Sequence, residues 1–151
     1  MWRDPSLVPL SHQHHNGLAL VVLTERALAQ DSGPEAIAAQ SRRVVNRYEI
    51  ELTNHFELEE QILFPAIRQH IGELPLVGIL NAEHRNLEQL VAALRNTPSL
   101  ALLQEFLSLL RSHIRKEENE LFPDIQERLP REILNLVGAE LDAKAIRACL
   151  D

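Results

Sequence analysis

The residues of this chain best suited to chemistry are histidines and glutamates in two matching runs. His55-Phe-Glu-Leu-Glu59-Glu60-Gln-Ile-Leu63-Phe64-Pro65-Ala-Ile67 aligns without a gap on His113-Ile-Arg-Lys-Glu117-Glu118-Asn-Glu-Leu121-Phe122-Pro123-Asp-Ile125. Both read HxxxEExxLFPxI, and seven of the thirteen positions are identical. On a helix, a histidine and a glutamate four residues later share one face, a turn apart. His55 with Glu59, and His113 with Glu117, can therefore point at one ion. Each pair also lies on an apolar stripe, with Leu52 in the first run and Leu110 and Leu121 in the second. A carboxylate on a core stripe is costly unless it is paired or holds a metal. A lone HxxxE is ordinarily a surface pair. Two copies in equivalent places, each preceded by a helix with another histidine, point to metal.

For the second copy that upstream histidine is His84, set among core-spaced leucines. Glu88, one turn on, either supplies a further oxygen or is a solvated helix residue. For the first copy it is His14 or His15. At about 100° per residue, His14 lies nearest the centre of the Leu18-Val21-Val22-Leu28 face. His15, however, has a leucine three residues on, as His84 does. One is expected to ligate and the other to support it or face water. The candidate ligands are thus His14, His15, His55, Glu59, His84, Glu88, His113 and Glu117. Glu60 and Glu118 rotate away by about 100° and are read as solvated or as backing the ligands. His12 and His70 read as surface residues, and Leu-Phe-Pro as packing and helix termination.

The elements that must position these groups are helices. Leu, Ala, Glu, Gln and Arg fill the stretches between breakers, and strand-like alternation is absent. A first helix is expected from about Ser11, with Ser11 as N-cap, to the Asp31-Ser32-Gly33-Pro34 breaker. A second starts at Pro34 and runs roughly thirty residues, about 45 Å, until Pro65 ends or kinks it. A third covers about Leu76–Leu94, and a fourth about Leu100–Leu121, with Pro123 near its end. An amphipathic segment follows Pro130, from Arg131 to about 149. The fold expected is all-α: an up-down-up-down antiparallel four-helix bundle over about 11–128, with an added C-terminal helix. That helix packs across one end or along the outside. A second apolar stripe on the first helix, Leu20, Leu23 and Ala27, is its default dock, a second subunit being the alternative. Residues 1–151 read as one domain.

Composition narrows the function. The chain has 151 residues, with 15 Lys plus Arg against 22 Asp plus Glu, a formal net charge of −7. Nucleic acids and anionic membranes both call for a basic face, so neither is an expected partner. No run approaches the ~20 apolar residues of a membrane span. The single cysteine, Cys149, makes no internal disulfide and no cysteine zinc cage, and reads as a bystander in a cytoplasmic protein. No histidine has a glutamate three residues before it, as the ferritin-like Glu-x-x-His motif requires. HExxH, a glycine-rich phosphate loop and GxSxG are absent as well.

The duplicated motif and its upstream histidines resemble the hemerythrin-like proteins, specifically the bacterial HHE cation-binding domain, from about Ser11 to Ile125. The resemblance implies a bundle holding two non-haem iron ions between its helices. It implies that His14 or His15 serves one iron with His55, that His84 and His113 serve the other, and that Glu59 and Glu117 bridge. Oxygen-carrying hemerythrins place a second histidine one turn after the third-helix histidine, where this chain has Glu88. Their last carboxylate is an aspartate five residues after its histidine, whereas this chain has glutamate at both four and five. A more carboxylate-rich iron suits Fe(III) or metal transfer better than reversible oxygen carriage. The expected function is to bind or sense oxygen or nitric oxide, or to handle iron, as a monomer or homodimer. The alternatives are a di-iron enzyme acting on peroxide or nitric oxide, which would need an open position on iron, and a zinc-binding or structural bundle, since imidazole suits zinc too.

Overall fold

The structure, a computed structural model, describes residues 2–147, and Cys149 lies outside them. The described residues are helical, without strand. A 3-10 turn (Pro5–Leu7) leads into α1 (Val8–Gln30). Ser11 is not its cap. Pro9 sits in the first turn, where a missing N–H costs nothing, so the helix begins upstream of Ser11. The cap lies earlier still: Asp4 accepts from the Ser6 N–H at 3.0 Å and caps the 3-10 turn.

Helix α2 (34–70) follows Gly33 with Pro34 in its first turn. It comprises α-helical stretches Pro34–Arg47, Thr53–Leu58 and Phe64–His70, joined by π turns Tyr48–Leu52 and Glu59–Leu63. Pro65 therefore does not end it. The wider turn just upstream accommodates the proline ring and its missing N–H, and the helix continues to His70. Gly72, at φ 120°, closes the helix end, its N–H bonding Ile67 O at 3.0 Å. Helix α3 (Pro75–Asn96) precedes α4 (100–128), which contains the π turn Glu117–Leu121 followed by Phe122–Arg128. Ser99 caps α4, its Oγ accepting from the Leu102 N–H. Helix α5 is Arg131–Lys144.

Helix α1 packs against α2 and α4, and α3 against the same two, so four helices surround one interior. That interior has two apolar clusters. One holds Leu7, Leu10, Leu58, Leu63, Leu80, Leu121 and Phe122, among others; the second holds Val21, Leu52, Phe56, Leu87, Leu110 and Ile114. On α1 and α3 the changeover falls at the histidine, and on α2 and α4 just after it, which sets a polar layer between two oily ones. Helix α5 covers one end, burying Leu134, Val137 and Leu141 in the cluster of Leu7 and Leu10. None of Leu20, Leu23 and Ala27 belongs to that cluster. The reason is local. Only Leu129 and Pro130 separate α4 from α5, so α5 must turn back at the near end, where Arg131 reaches Asp4 at 2.7 Å. Among the described residues, no helix is long and apolar enough to cross a membrane.

Candidate metal centre

The polar layer is built from one turn of each of four helices. α1 supplies His14, α2 His55 and Glu59, α3 His84, and α4 His113 and Glu117. All six side chains are buried, and Glu59, His84, His113 and Glu117 have no exposure at all. Their atoms form two overlapping groups, His14-His55-Glu59-Glu117 and Glu59-His84-His113, with the ligating atoms of each group within 4.8 Å of one another. Glu117 Oε1 lies 2.9 Å from His14 Nε2, 3.5 Å from His55 Nε2 and 3.2 Å from His113 Nε2. Glu59 Oε1 lies 3.0 Å from His84 Nε2 and 3.4 Å from His55 Nε2. Each carboxylate therefore touches imidazoles from both halves of the repeat.

The opposite edge of every ring is held by an oxygen. His14 Nδ1 donates to Glu118 (2.6 Å), His55 Nδ1 to the Gln13 amide oxygen (2.9 Å), His84 Nδ1 to Glu60 (2.8 Å) and His113 Nδ1 to Glu83 (2.9 Å). An ionised carboxylate or amide oxygen can only accept, so each Nδ1 carries a proton; the Nε2 atoms of neutral His55 and His113 then present lone pairs to the centre, while those of His14 and His84 lie within hydrogen-bond distance of Glu117 and Glu59. Those lone pairs face carboxylate oxygens. The arrangement is repulsive unless a cation lies between them.

Protonation alone is a poor remedy in this interior. Burial holds the His55 imidazole down to about 3, against the nearby Glu59 charge. Burial likewise lowers His113, although its bond to Glu83 pulls the other way. Burial alone would raise Glu59, but His55, His84 and His113 outweigh it and bring that carboxyl to about 2. Neutral imidazole and ionised carboxylate are the states that bind metal. Nine buried side-chain atoms among the described residues lack a hydrogen-bond partner, and four of them cluster here: His55 Nε2, His113 Nε2, Glu59 Oε2 and Glu117 Oε2. Buried polar atoms are rarely left so; the other five are scattered singly on Arg3, Thr24, Gln40, Ser41 and Asn81, whereas these four converge on one point. Nitrogen and oxygen donors without a thiolate suit iron, zinc or manganese. The residues present fit a cation.

Two of the sequence candidates stand outside the layer. His15 is exposed: one step along α1 turns it to solvent, while His14 stacks on Phe122 at 5.4 Å. Glu88 is also exposed and lies beside Arg85 at 3.7 Å. Glu60 and Glu118 back the imidazoles from behind, and Glu118, held to about 2 chiefly by His14 against its own burial, also bonds Ser11 and Arg3. Phe64 and Phe122 of the Leu-Phe-Pro triplets, with Phe56, wall the rings; Phe56 stacks on His84 at 4.1 Å. Sequence reasoning passed over Gln13 and Glu83. Their only local signal is position, since each immediately precedes the upstream histidine of its half. The buried pair Asn16–Glu51 (3.1 Å) was passed over as well.

A ring of four helices around a buried imidazole–carboxylate layer defines a metal-binding helical protein. The hemerythrin HHE cation binding domain model matches residues 7–125, and the chain belongs to that family. Among curated proteins, a DNA nickase of Nostoc sp. (strain PCC 7120) is 26% identical over 134 residues, 86% of this chain and 36% of that protein. The iron-sulfur cluster repair protein YtfE of Citrobacter koseri is 29% identical over 90 residues, 48% of this chain and 41% of that protein. YtfE of Escherichia coli K12 (DH10B) matches to the same extent. The chain thus spans well under half the length of these curated relatives. No solved structure matches it significantly.

Proposed function

We propose that this protein holds two non-haem iron ions in the layer and uses them to bind or sense oxygen or nitric oxide, or to handle iron. The observation that carries the reading is the set of four unpartnered inward atoms on His55, His113, Glu59 and Glu117. In this reading His14 and His55 serve one ion, His84 and His113 the other, and Glu59 and Glu117 lie between them. Six side chains cannot fill two octahedral shells, so positions remain for a diatomic ligand or solvent. Iron would supply reversible electron transfer and affinity for such ligands. The protein's part is to present neutral imidazoles, exclude bulk water with Phe56, Phe64 and Phe122, and fix each ring from behind. The up-down-up-down antiparallel order, the single domain and a cytoplasmic monomer or homodimer complete the proposal. The ring of helix contacts and the lone cysteine support it. Action on DNA is not part of it, because a net charge of −7 disfavours a phosphate backbone.

The test is metal content after expression in iron-supplemented medium, with the optical spectrum of the reduced protein before and after oxygen or nitric oxide is admitted. Two irons per chain and a ligand-dependent spectrum are expected. His14→Ala and Glu117→Ala should lose metal, while His15→Ala and Glu88→Ala should retain it. Less than one metal per chain, unaltered in His55→Ala, would refute the reading.

A further inference from the structure

The four imidazoles are not backed alike. Behind three of them the chain runs imidazole, carboxylate, basic side chain: His14–Glu118–Arg3, His84–Glu60–Arg85 and His113–Glu83–Lys116. Behind His55 it runs through amides instead. Gln13 Oε1 accepts from His55, while Gln13 Nε2 donates to Asn54 Oδ1 at 2.9 Å and to the Ile146 carbonyl at 3.0 Å. Asn54 in turn accepts from the Ile146 N–H and donates to the Lys144 carbonyl. Gln13 and Glu83 occupy equivalent places, each one residue before a buried histidine and each bonded to the histidine of the following helix. The pseudo-symmetry of the layer is therefore broken at one pair of positions, neutral in one half and anionic in the other.

A carboxylate bonded to the far nitrogen of an imidazole raises its basicity as a ligand, and losing such a partner typically costs about 10–100-fold in metal affinity. The His84/His113 half has two carboxylate backers. The His14/His55 half has one carboxylate and one amide. Glu51 is buried one turn before His55, and its charge acts on that ring through space. The ring's Nδ1, however, is taken by Gln13.

Resting on the di-iron reading above, we infer that the two cation positions are graded in affinity, with Gln13 and Glu83 as the positioning residues that set the grade. The position served by His84 and His113 holds its ion tightly. The position served by His14 and His55, whose backing is bonded to residues 144–146, holds the exchangeable ion. One fixed and one exchangeable ion suit a protein that passes a metal on.

The experiment titrates metal-free protein with Co(II) against a chromophoric chelator. Two steps are expected, separated by about 10–100-fold. Glu83→Gln should weaken the tight step by a similar factor and leave the loose one. Gln13→Glu should strengthen the loose step. Glu51→Gln should leave the tight step first in order. Two ions bound with equal affinity in the wild type, or a Glu83→Gln effect confined to the loose step, would overturn the grading alone. Failure of the wild type to bind any ion would overturn the di-iron reading and the grading together. Circular dichroism of each metal-free variant checks folding, and if Gln13→Glu does not fold, Glu83→Gln still decides.

Discussion

Stripped of metal, the protein should lose stability steeply as the solution is acidified, well before its carboxylates are protonated. In the unfolded chain His55 takes up a proton near pH 6.5. In the folded chain, burial delays this to about pH 3. Between those values the unfolded state binds the extra proton, so stability rises with pH and falls as pH drops. One such group gives a slope of about 1.4 kcal/mol per pH unit. Across the whole interval His55 alone removes on the order of 5 kcal/mol, comparable with the total stability of many domains. His113, also lowered by burial, adds a second slope in the same direction. Glu59 contributes at the acid end of that range and below it: its folded value of about 2 gives stability present above the ordinary carboxylate range and lost as pH falls towards 2. Urea denaturation of chelator-treated protein at pH 7.5, 6, 5 and 4, followed by helical dichroism, reads these slopes directly. His55→Leu should abolish about half of the change between pH 6 and 4. A midpoint flat across that range, or a His55→Leu variant with an undiminished slope, would show that these imidazoles are not buried and neutral, and the argument for a cation would fail with it. In the loaded protein the ion competes with protons, so loss should begin at lower pH and coincide with metal release.

Three further predictions concern single substitutions away from the layer. A Cβ on Gly138 would lie 2.7 Å from Ser6 Cα and 2.9 Å from Ser6 Cβ, so Gly138→Ala should lower stability by about 1–3 kcal/mol through overpacking. Gly78→Ala, on a helix with nothing within 4 Å, should raise stability by up to about 1 kcal/mol; chemical denaturation of the two variants side by side checks both. Asp4 is buried and held to about 2, chiefly by Arg131 and then by Ser6. Arg131→Ala should therefore lower stability at pH 7, and the loss should shrink as pH falls towards 2, where Asp4 is half protonated in the folded protein.

The layer was legible because its geometry is local. His55–Glu59 and His113–Glu117 are one-turn pairs, and their duplication supplied the contrast that a single pair lacks. The groups behind the rings were not legible, because Gln13 meets His55 and Glu83 meets His113 across helices, 42 and 30 residues apart in the chain. Helical periodicity could not separate His14 from His15. What separates them is tertiary: Glu118 and Phe122 surround the first, and water meets the second. Ser11 was misjudged as a cap for a related reason. Its hydroxyl donates to Glu118, a residue 107 positions away, at 2.7 Å, and so serves the centre instead of the helix start. Pro65 was expected to stop or kink a helix, because nothing in the composition of Glu59–Leu63 announces the π turn that lets the helix continue.

Those wide turns also set the phase of the helix beyond them. A π turn contains one residue more than the α turn it replaces, so each advances the helical register by one residue. The turns at Glu59–Leu63 and Glu117–Leu121 occupy matching places in the two repeats, so the same change of phase precedes Phe64 and Phe122. The turn at Tyr48–Leu52 has no such twin, since the matching stretch of α4 is plain α-helix. Removing Gln61 or Asn119, both exposed, would take the extra residue out of the wide turn. It would rotate everything downstream by about 100° and swing Phe64 or Phe122 off its imidazole.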